Sequence, residues 1–424
     1  MFAIFKNRNF SLLWLGQVIS MCGDFFMYIA VPYFVYQLTG SVLQTGITVI
    51  AETLPRVLLS SLAGVFVDRW NRRWTMLTAD LLRAVVLLLM LLVHSADQLW
   101  LIYVAIATQA IISQFFTPAS MALIPSLVEQ EQLMAANSLS SLGQSITRLI
   151  GPAVGGILFT ALGLTGTVLM DSATYVFSAL MILCLSLPTS ASVNKATEQK
   201  ERVTVGAAVK HLWEEWAAGL RLIRGSQTLV GIFVTMCVFM LGQGIIQVMF
   251  VIFVRNVIHG DAMIYAWILT SQGIGSILGA LLNGVFSKWL RPGYQIALGG
   301  LVSGGAILAV ISFPDPIIAM ILTGIVGVFS VGFIITLYTL LQTGAEDRYR
   351  GRVFGTLETV MSLATLISMT LSSSFGDSLG AILWMAISGT LILVSGGIAL
   401  FILRQARLPQ AEQPTVEKDL ELSL

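Results

Sequence analysis

The sequence predicts an all-α integral membrane protein: twelve transmembrane helices in two six-helix bundles related by pseudo-symmetry. Three observations carry this. The 424-residue chain is 56% hydrophobic and 11% charged, where soluble domains carry about 25% charged residues. Its apolar runs repeatedly reach the roughly 20 residues that span a bilayer as helix. Helices also satisfy their own backbone in lipid, and the alternation of membrane β-strands is absent. Finally, the charged loop Gly64-Val65-Phe66-Val67-Asp68-Arg69-Trp70-Asn71-Arg72-Arg73 returns, degraded, at Gly284-Val285-Phe286-Ser287-Lys288-Trp289-Leu290-Arg291-Pro292. Such a repeat marks a protein of two similar halves.

Taken in order, the apolar runs place spans at 11–37, 46–67, 75–93, 99–123, 138–160 and 165–187, then at 228–254, 262–287, 295–312, 317–341, 354–375 and 380–403. This divides the chain into a first bundle (1–187), a linker (188–227), a second bundle (228–403) and a polar tail (404–424). Nineteen of the 23 basic residues fall on one side if the N-terminus is cytoplasmic, and only Arg255 falls on the other; Arg56, Arg83 and Arg148 lie within spans. The positive-inside rule therefore puts both termini in the cytoplasm of a multi-pass cell-membrane protein. The run near the N-terminus is too long for a signal-peptide core and has no small-residue cleavage site after it, so the first helix is expected to be retained. In the linker, Val209, Trp213, Trp216, Leu220 and Ile223 share one helical face, which predicts an amphipathic helix on the cytoplasmic membrane surface. Cys22, Cys184 and Cys237 all lie in apolar runs and read as small core residues.

The loop from Gly64 to Arg73 resembles the signature of the major facilitator superfamily between its second and third helices: Gly, three residues, Asp-Arg, then a basic pair. Six helices, a cytoplasmic linker and six more is also that superfamily's plan. Gly64 permits close helix approach, and Asp68 can bond a neighbouring helix N-terminus. Arg69, Arg72 and Arg73 can pair with acidic groups on nearby helix ends, such as Asp80 or Glu358. With Arg83, these residues form an expected latch between the halves. The second copy lacks the Asp, so it reads mainly as a topology signal. In the fifth span, Gly151-Pro152-Ala153-Val154-Gly155-Gly156 resembles the superfamily's antiporter motif, more frequent in exporters, although Thr147 stands where the motif has an upstream glycine. Arg8-Asn9-Phe10-Ser11-Leu12-Leu13-Trp14, Gly23-Asp24, Asp80-Leu81-Leu82-Arg83-Ala84, Phe116-Thr117-Pro118-Ala119 and Gly351-Arg352-Val353-Phe354 are similar to the macrolide-efflux and enterobactin-exporter branch. This resemblance implies drug or siderophore export coupled to protons.

Ionisable groups inside a bilayer are costly and mark function by default. Asp24 lies mid-way along the first span, with Gln17, Met21 and Tyr28 on its face. Removal from water disfavours a charged carboxylate, which suits a proton-coupling group. The bland alternative makes Asp24 a fixed partner of Arg148; Arg148 is itself a proton-coupling candidate, since a pair formed only with ionised Asp24 would break on protonation and shift the conformational balance. Glu52 and Arg56, four apart, form either a self-neutralising pair or part of a proton relay. Asp171 is a second pathway carboxylate or a packing group. Gln109, Gln243 and Gln247 can offer hydrogen bonds to a substrate or join helices. The interiors of the seventh to tenth spans carry no acidic residue, so the first half is expected to handle the proton.

None of the six lysines is followed by the Ser or Thr that a P-loop requires, which disfavours an ATP-driven pump. No metal-ligand cluster or nucleophile–base arrangement suggests an enzyme, and no cofactor, metal or nucleic acid is implied. The reading is a monomeric secondary exporter of amphipathic small molecules, working by alternating access and proton antiport. A proton-coupled uptake carrier and a non-transporting sensor on the same fold are the alternatives.

Overall fold

The long apolar runs fold as helices, and their ends are set by local capping. A computed structural model describes residues 2–67, 69–186, 221, 223–344 and 349–403. Helix α1 (Arg8–Thr39) starts at Asn7, whose side chain accepts from the Phe10 N–H at 3.2 Å, and stops at Gly40, left-handed at φ 65°. Helix α2 (Val42–Val67) follows. Asn71 caps α3 (Arg72–Leu87), which continues as 3-10 helix over Leu88–Leu92. Helix α4 is Leu99–Leu127. In the second half, Ser226 caps α7 (Gln227–Asn256) and Asp261 caps α8 (Ala262–Trp289). Helices α9 (Pro292–Ser312) and α10 (Pro316–Gly344) come next.

Among the described residues, ten helical stretches are long and apolar enough to cross a membrane. Two of them, Leu133–Leu183 and Arg350–Ile402, are 51 and 53 residues long. At 1.5 Å per residue each far exceeds the roughly 30 Å hydrocarbon core. Both break at one glycine: Gly163 at φ 64° and Gly380 at φ 78°. A side chain there would be strained, so glycine makes the corner. The breaks define α5 (133–162) and α6 (164–183), then α11 (350–379) and α12 (381–402). Twelve spans result, and the expected loops at these two places are single-residue corners.

The two halves pack by the same rule. Helix α1 packs on the α5–α6 stretch, as α7 does on α11–α12; α2 packs on α4, as α8 does on α10; α3 sits against α4 and α5–α6, as α9 does against α10 and α11–α12. Between halves, α5–α6 meets α8 and α11–α12 meets α2. The internal repeat read from the loop is thus a repeat of helix pairing. Most of the predicted linker, including Val209 to Leu220 of the amphipathic face, lies outside the described residues, as do the tail beyond Leu403, Arg348 and Asp68.

Candidate functional site

A cavity of about 190 Å³ lies mid-span in the first half, walled by α1, α2 and α4, with Asp24, Tyr28, Glu52, Arg56, Gln109 and Ser113 in its lining. Three expected residues of the first span separate here. Asp24 and Tyr28 reach the cavity. Gln17 does not line it; it donates a hydrogen bond to Ser120 of α4 and ties the two helices together. Glu52 and Arg56 form the expected pair at 3.2 Å, and their side chains keep 40% and 63% of their exposure, so both face the open space.

Asp24 is exposed through this cavity, yet its near neighbours form a dense polar cluster behind it. The fully buried Tyr175 of α6 donates its hydroxyl to Asp24. Gln109 donates to the same hydroxyl at 2.6 Å. The Arg83 guanidinium lies 4.3 Å from the Tyr175 ring centroid and 4.6 Å from that of Phe116, a cation–π arrangement favoured where water is excluded. Arg83 also pairs with the fully buried Asp80. Asp171, fully buried on α6, bonds Thr174 at 3.2 Å and presses on Gly23, where a Cβ would sit 2.1 Å from its carboxylate oxygen. Its other oxygen has no hydrogen-bond partner among the described residues. One sequence neighbour of Asp24, Gly23, is therefore required to be small so that α6 can bring Asp171 alongside.

Two expectations are corrected. Arg148 is not the partner of Asp24: it is exposed, forms no ion pair among the described residues, and its backbone carbonyl lies against Gly273 of α8. Asp80 and Arg83 are not latch residues of the charged loop, because they are buried behind Tyr175. Two of the loop arginines, Arg72 and Arg73, bond carbonyls of α4 and α6 in place of the acidic groups expected. Arg72 donates to the Ala122 carbonyl at 2.9 Å, and Arg73 donates to those of Ile182 and Leu183 at 3.2 and 2.7 Å. Carbonyls in the last turn of a helix, as at Ile182 and Leu183 of α6, carry partial negative charge that a guanidinium offsets. Glu358 accepts from Tyr338 within its own half. The expected pairing of Asp68 lies outside the described residues.

The glycines of the fifth span do bring helices together. A Cβ at Gly151 would fall 2.6 Å from Phe25, and one at Gly155 would fall 2.9 Å from the Phe26 backbone, so α5 is seated on α1 directly after Asp24. Gly156 faces the second half, where a Cβ would meet Ala266 at 2.2 Å. Pro152 is buried in the same seam. Gln243 and Gln247 on α7 are half-buried and outside the cavity lining, and they make no side-chain hydrogen bond among the described residues.

The halves are joined at the end that carries Gly40. Asp377 on α11 caps the first turn of α2: it accepts from the Val42 N–H at 2.8 Å, the Ser41 hydroxyl at 3.1 Å and the Leu43 N–H at 3.5 Å. Asn256 donates to the Tyr36 hydroxyl, and Arg255 sits over the rings of Tyr33 and Tyr36 at 5.5 and 5.7 Å. Gly46 and Gly376 let α2 and α11 touch there. Nothing in the sequence singled out Asp377, Asn256 or Tyr175; the first two sit at helix ends and the third reads as an aromatic lining residue.

The comparisons with known proteins agree with this architecture. The family model of the Major Facilitator Superfamily matches residues 13–369 and 232–423. The chain is 25% identical over 390 residues to the "Macrolide efflux protein A" of Streptococcus pyogenes, covering 91% of this chain and 93% of that protein. It is 26% identical over 427 residues to the "Multidrug efflux pump Tap" of Mycolicibacterium fortuitum, covering 96% and 99%. A crystal structure of a bacterial homologue of the iron transporter ferroportin in the inward-facing state superposes with a TM-score of 0.70, at 14% identity, over 93% of this chain and 98% of that one.

Proposed function

Because the chain belongs to the Major Facilitator Superfamily, a family of multi-pass membrane transporters of small molecules, we propose that it exports amphipathic small molecules in exchange for protons. The observation that carries the proposal is the cavity-facing Asp24 backed by Tyr175, Arg83 and Asp80. A carboxylate that meets solvent on one side and a buried cation-bearing network on the other can exchange a proton with the cavity. The names borne by the two efflux relatives support export as the direction.

The residues divide the work as follows. Asp24 takes up and releases the proton. Arg83, held by Asp80 and by two aromatic faces, supplies the positive charge that balances Asp24 when it is ionised. Tyr175 carries the change to Gln109, which lines the cavity and so reports it to bound substrate. Asp171 from α6 and the Glu52–Arg56 pair from α2 are the other charged groups facing this region. Protonation of Asp24 removes one negative charge from a site that must repack when the halves rock, and so biases their equilibrium.

The seal at the Gly40 end supports a pathway open toward the Arg69 end, which the distribution of basic residues puts in the cytoplasm. Asp68 and the loop arginines remain our candidates for the opposing latch. A substrate screen in a pump-deficient bacterium, scoring resistance and its pH dependence, tests the function. Export predicts raised resistance, and inside-out vesicles that accumulate the selected compound when acid inside. Accumulation only in right-side-out vesicles reverses the direction.

A further inference from the structure

A second cavity lies outside the bundle. A groove of about 650 Å³ runs between α3 and α4 and is lined by Arg69, Trp70, Trp74, Leu82, Ile111 and Phe115, among others. Its volume falls within the roughly 300–1,000 Å³ typical of small-molecule sites. The face of α4 that lines it is opposite the one carrying Gln109 and Ser113 toward the central cavity. The groove therefore faces lipid and is separate from the transport site.

Its rim and floor differ in chemistry. The three arginines of the charged loop have unequal commitments. Arg72 and Arg73 are bonded to helix-end carbonyls. Arg69 is exposed, and its side chain has no hydrogen bond or ion pair among the described residues. Trp70 stacks on Phe115 at 5.6 Å to form a flat wall, while Trp74 stays 59% exposed at the mouth. Deeper in, Leu82 is 53% exposed. From Trp74 to Leu82 the helix rises about 12 Å, comparable with the acyl depth of one leaflet, about half of the roughly 30 Å core. Tryptophan favours the headgroup level, where an apolar body and a polar N–H are both satisfied.

We infer that this groove binds one anionic phospholipid, with its phosphate on Arg69, its headgroup level at Trp70 and Trp74, and an acyl chain along Leu82, Ile111 and Phe115. Charge complementarity selects the anionic class: the mouth presents a guanidinium unpaired among the described residues, and no described acidic side chain lines the groove. A zwitterionic lipid carries an ammonium that Arg69 would repel. The site is independent of which way substrate moves, so it stands or falls separately from the transport reading.

The test uses the full chain in vesicles of equimolar phosphatidylglycerol and phosphatidylcholine, extracted in mild detergent, with retained lipid counted by native mass spectrometry. One basic side chain near an anionic lipid is worth about 1 kcal/mol, so retained phosphatidylglycerol should exceed phosphatidylcholine about fivefold. Arg69→Gln should bring the ratio to about one, and Arg69→Glu should invert it. Lys288→Gln, at the matching loop of the second half, should leave the preference intact. Equal retention of the two lipids by the wild type, or an unchanged preference in Arg69→Gln, overturns the assignment.

Discussion

Asp377→Ala should tilt the protein away from the conformation described here, because Asp377 joins the halves without touching the cavity. Its carboxylate receives two backbone N–H groups of the first turn of α2 and the Ser41 hydroxyl, at 2.8 to 3.5 Å. Loss of a side-chain cap costs about 0.5–2 kcal/mol, and loss of a negative charge at a helix N-terminus about 0.3–1 kcal/mol. Asp377 is exposed and Ser41 half-buried, so water screens part of this, and about 1–2 kcal/mol in total is a fair figure. If the contact exists only when the Gly40 end is closed, the closed-to-open ratio falls about 5- to 30-fold. Asp377→Asn keeps an acceptor and loses the charge, so its shift should be smaller. The readout is the distance distribution between spin labels at Ala96→Cys and Pro314→Cys, on outer turns of the two halves, in a chain with the native cysteines replaced. The mutant should gain a long-distance population in the order Ala over Asn. Identical distributions in all three proteins would refute the role of this cap. Asn256–Tyr36 and Arg255 over Tyr33 and Tyr36 remain in the mutant, so the seal is weakened and not lost.

Further expectations concern the polar cluster. Arg83→Leu leaves Asp80 buried without its partner and should cost about 3–5 kcal/mol of stability; the double variant Asp80→Leu/Arg83→Leu should recover much of it in thermal unfolding, while transport stays lost in both. Gly23→Ala forces a methyl against Asp171 and Thr174, at 2.1 and 2.4 Å before relaxation, an overpacking cost of about 1–3 kcal/mol. Gly351→Ala, with open space around it, should be neutral in the same unfolding assay. Arg148→Leu should leave efflux coupled to the pH gradient, since Arg148 contributes no charge to Asp24; an uncoupled mutant would restore it to the pathway.

Sequence reading located the spans well because membrane helices announce themselves by length and hydropathy alone. The α8 start at Ala262 and the α9 end at Ser312 coincide with the expected bounds. Asp24 was legible for the same reason: a carboxylate in an apolar run is conspicuous. Its partners were less so. Arg83 and Arg148 are both lone cations within spans, and a linear sequence gives their depth but not which neighbour each face meets. Depth read from α3 alone assigned Asp80 and Arg83 to the cytoplasmic latch, whereas the packing of α6 folds them in behind Tyr175. Tyr175 carries no sequence signal, since a tyrosine in a span reads as lining or core. Gly163 and Gly380 look like any of the 38 glycines until positive φ distinguishes them.

The central claim is that Asp24 couples a proton to substrate movement. It is tested most directly in proteoliposomes that hold a preformed pH gradient and a pH-sensitive dye. Adding a compound selected by the resistance screen should collapse the gradient in the wild type and leave it standing in Asp24→Asn of equal reconstitution. A gradient untouched by substrate in the wild type, or one discharged equally by Asp24→Asn, would contradict the account.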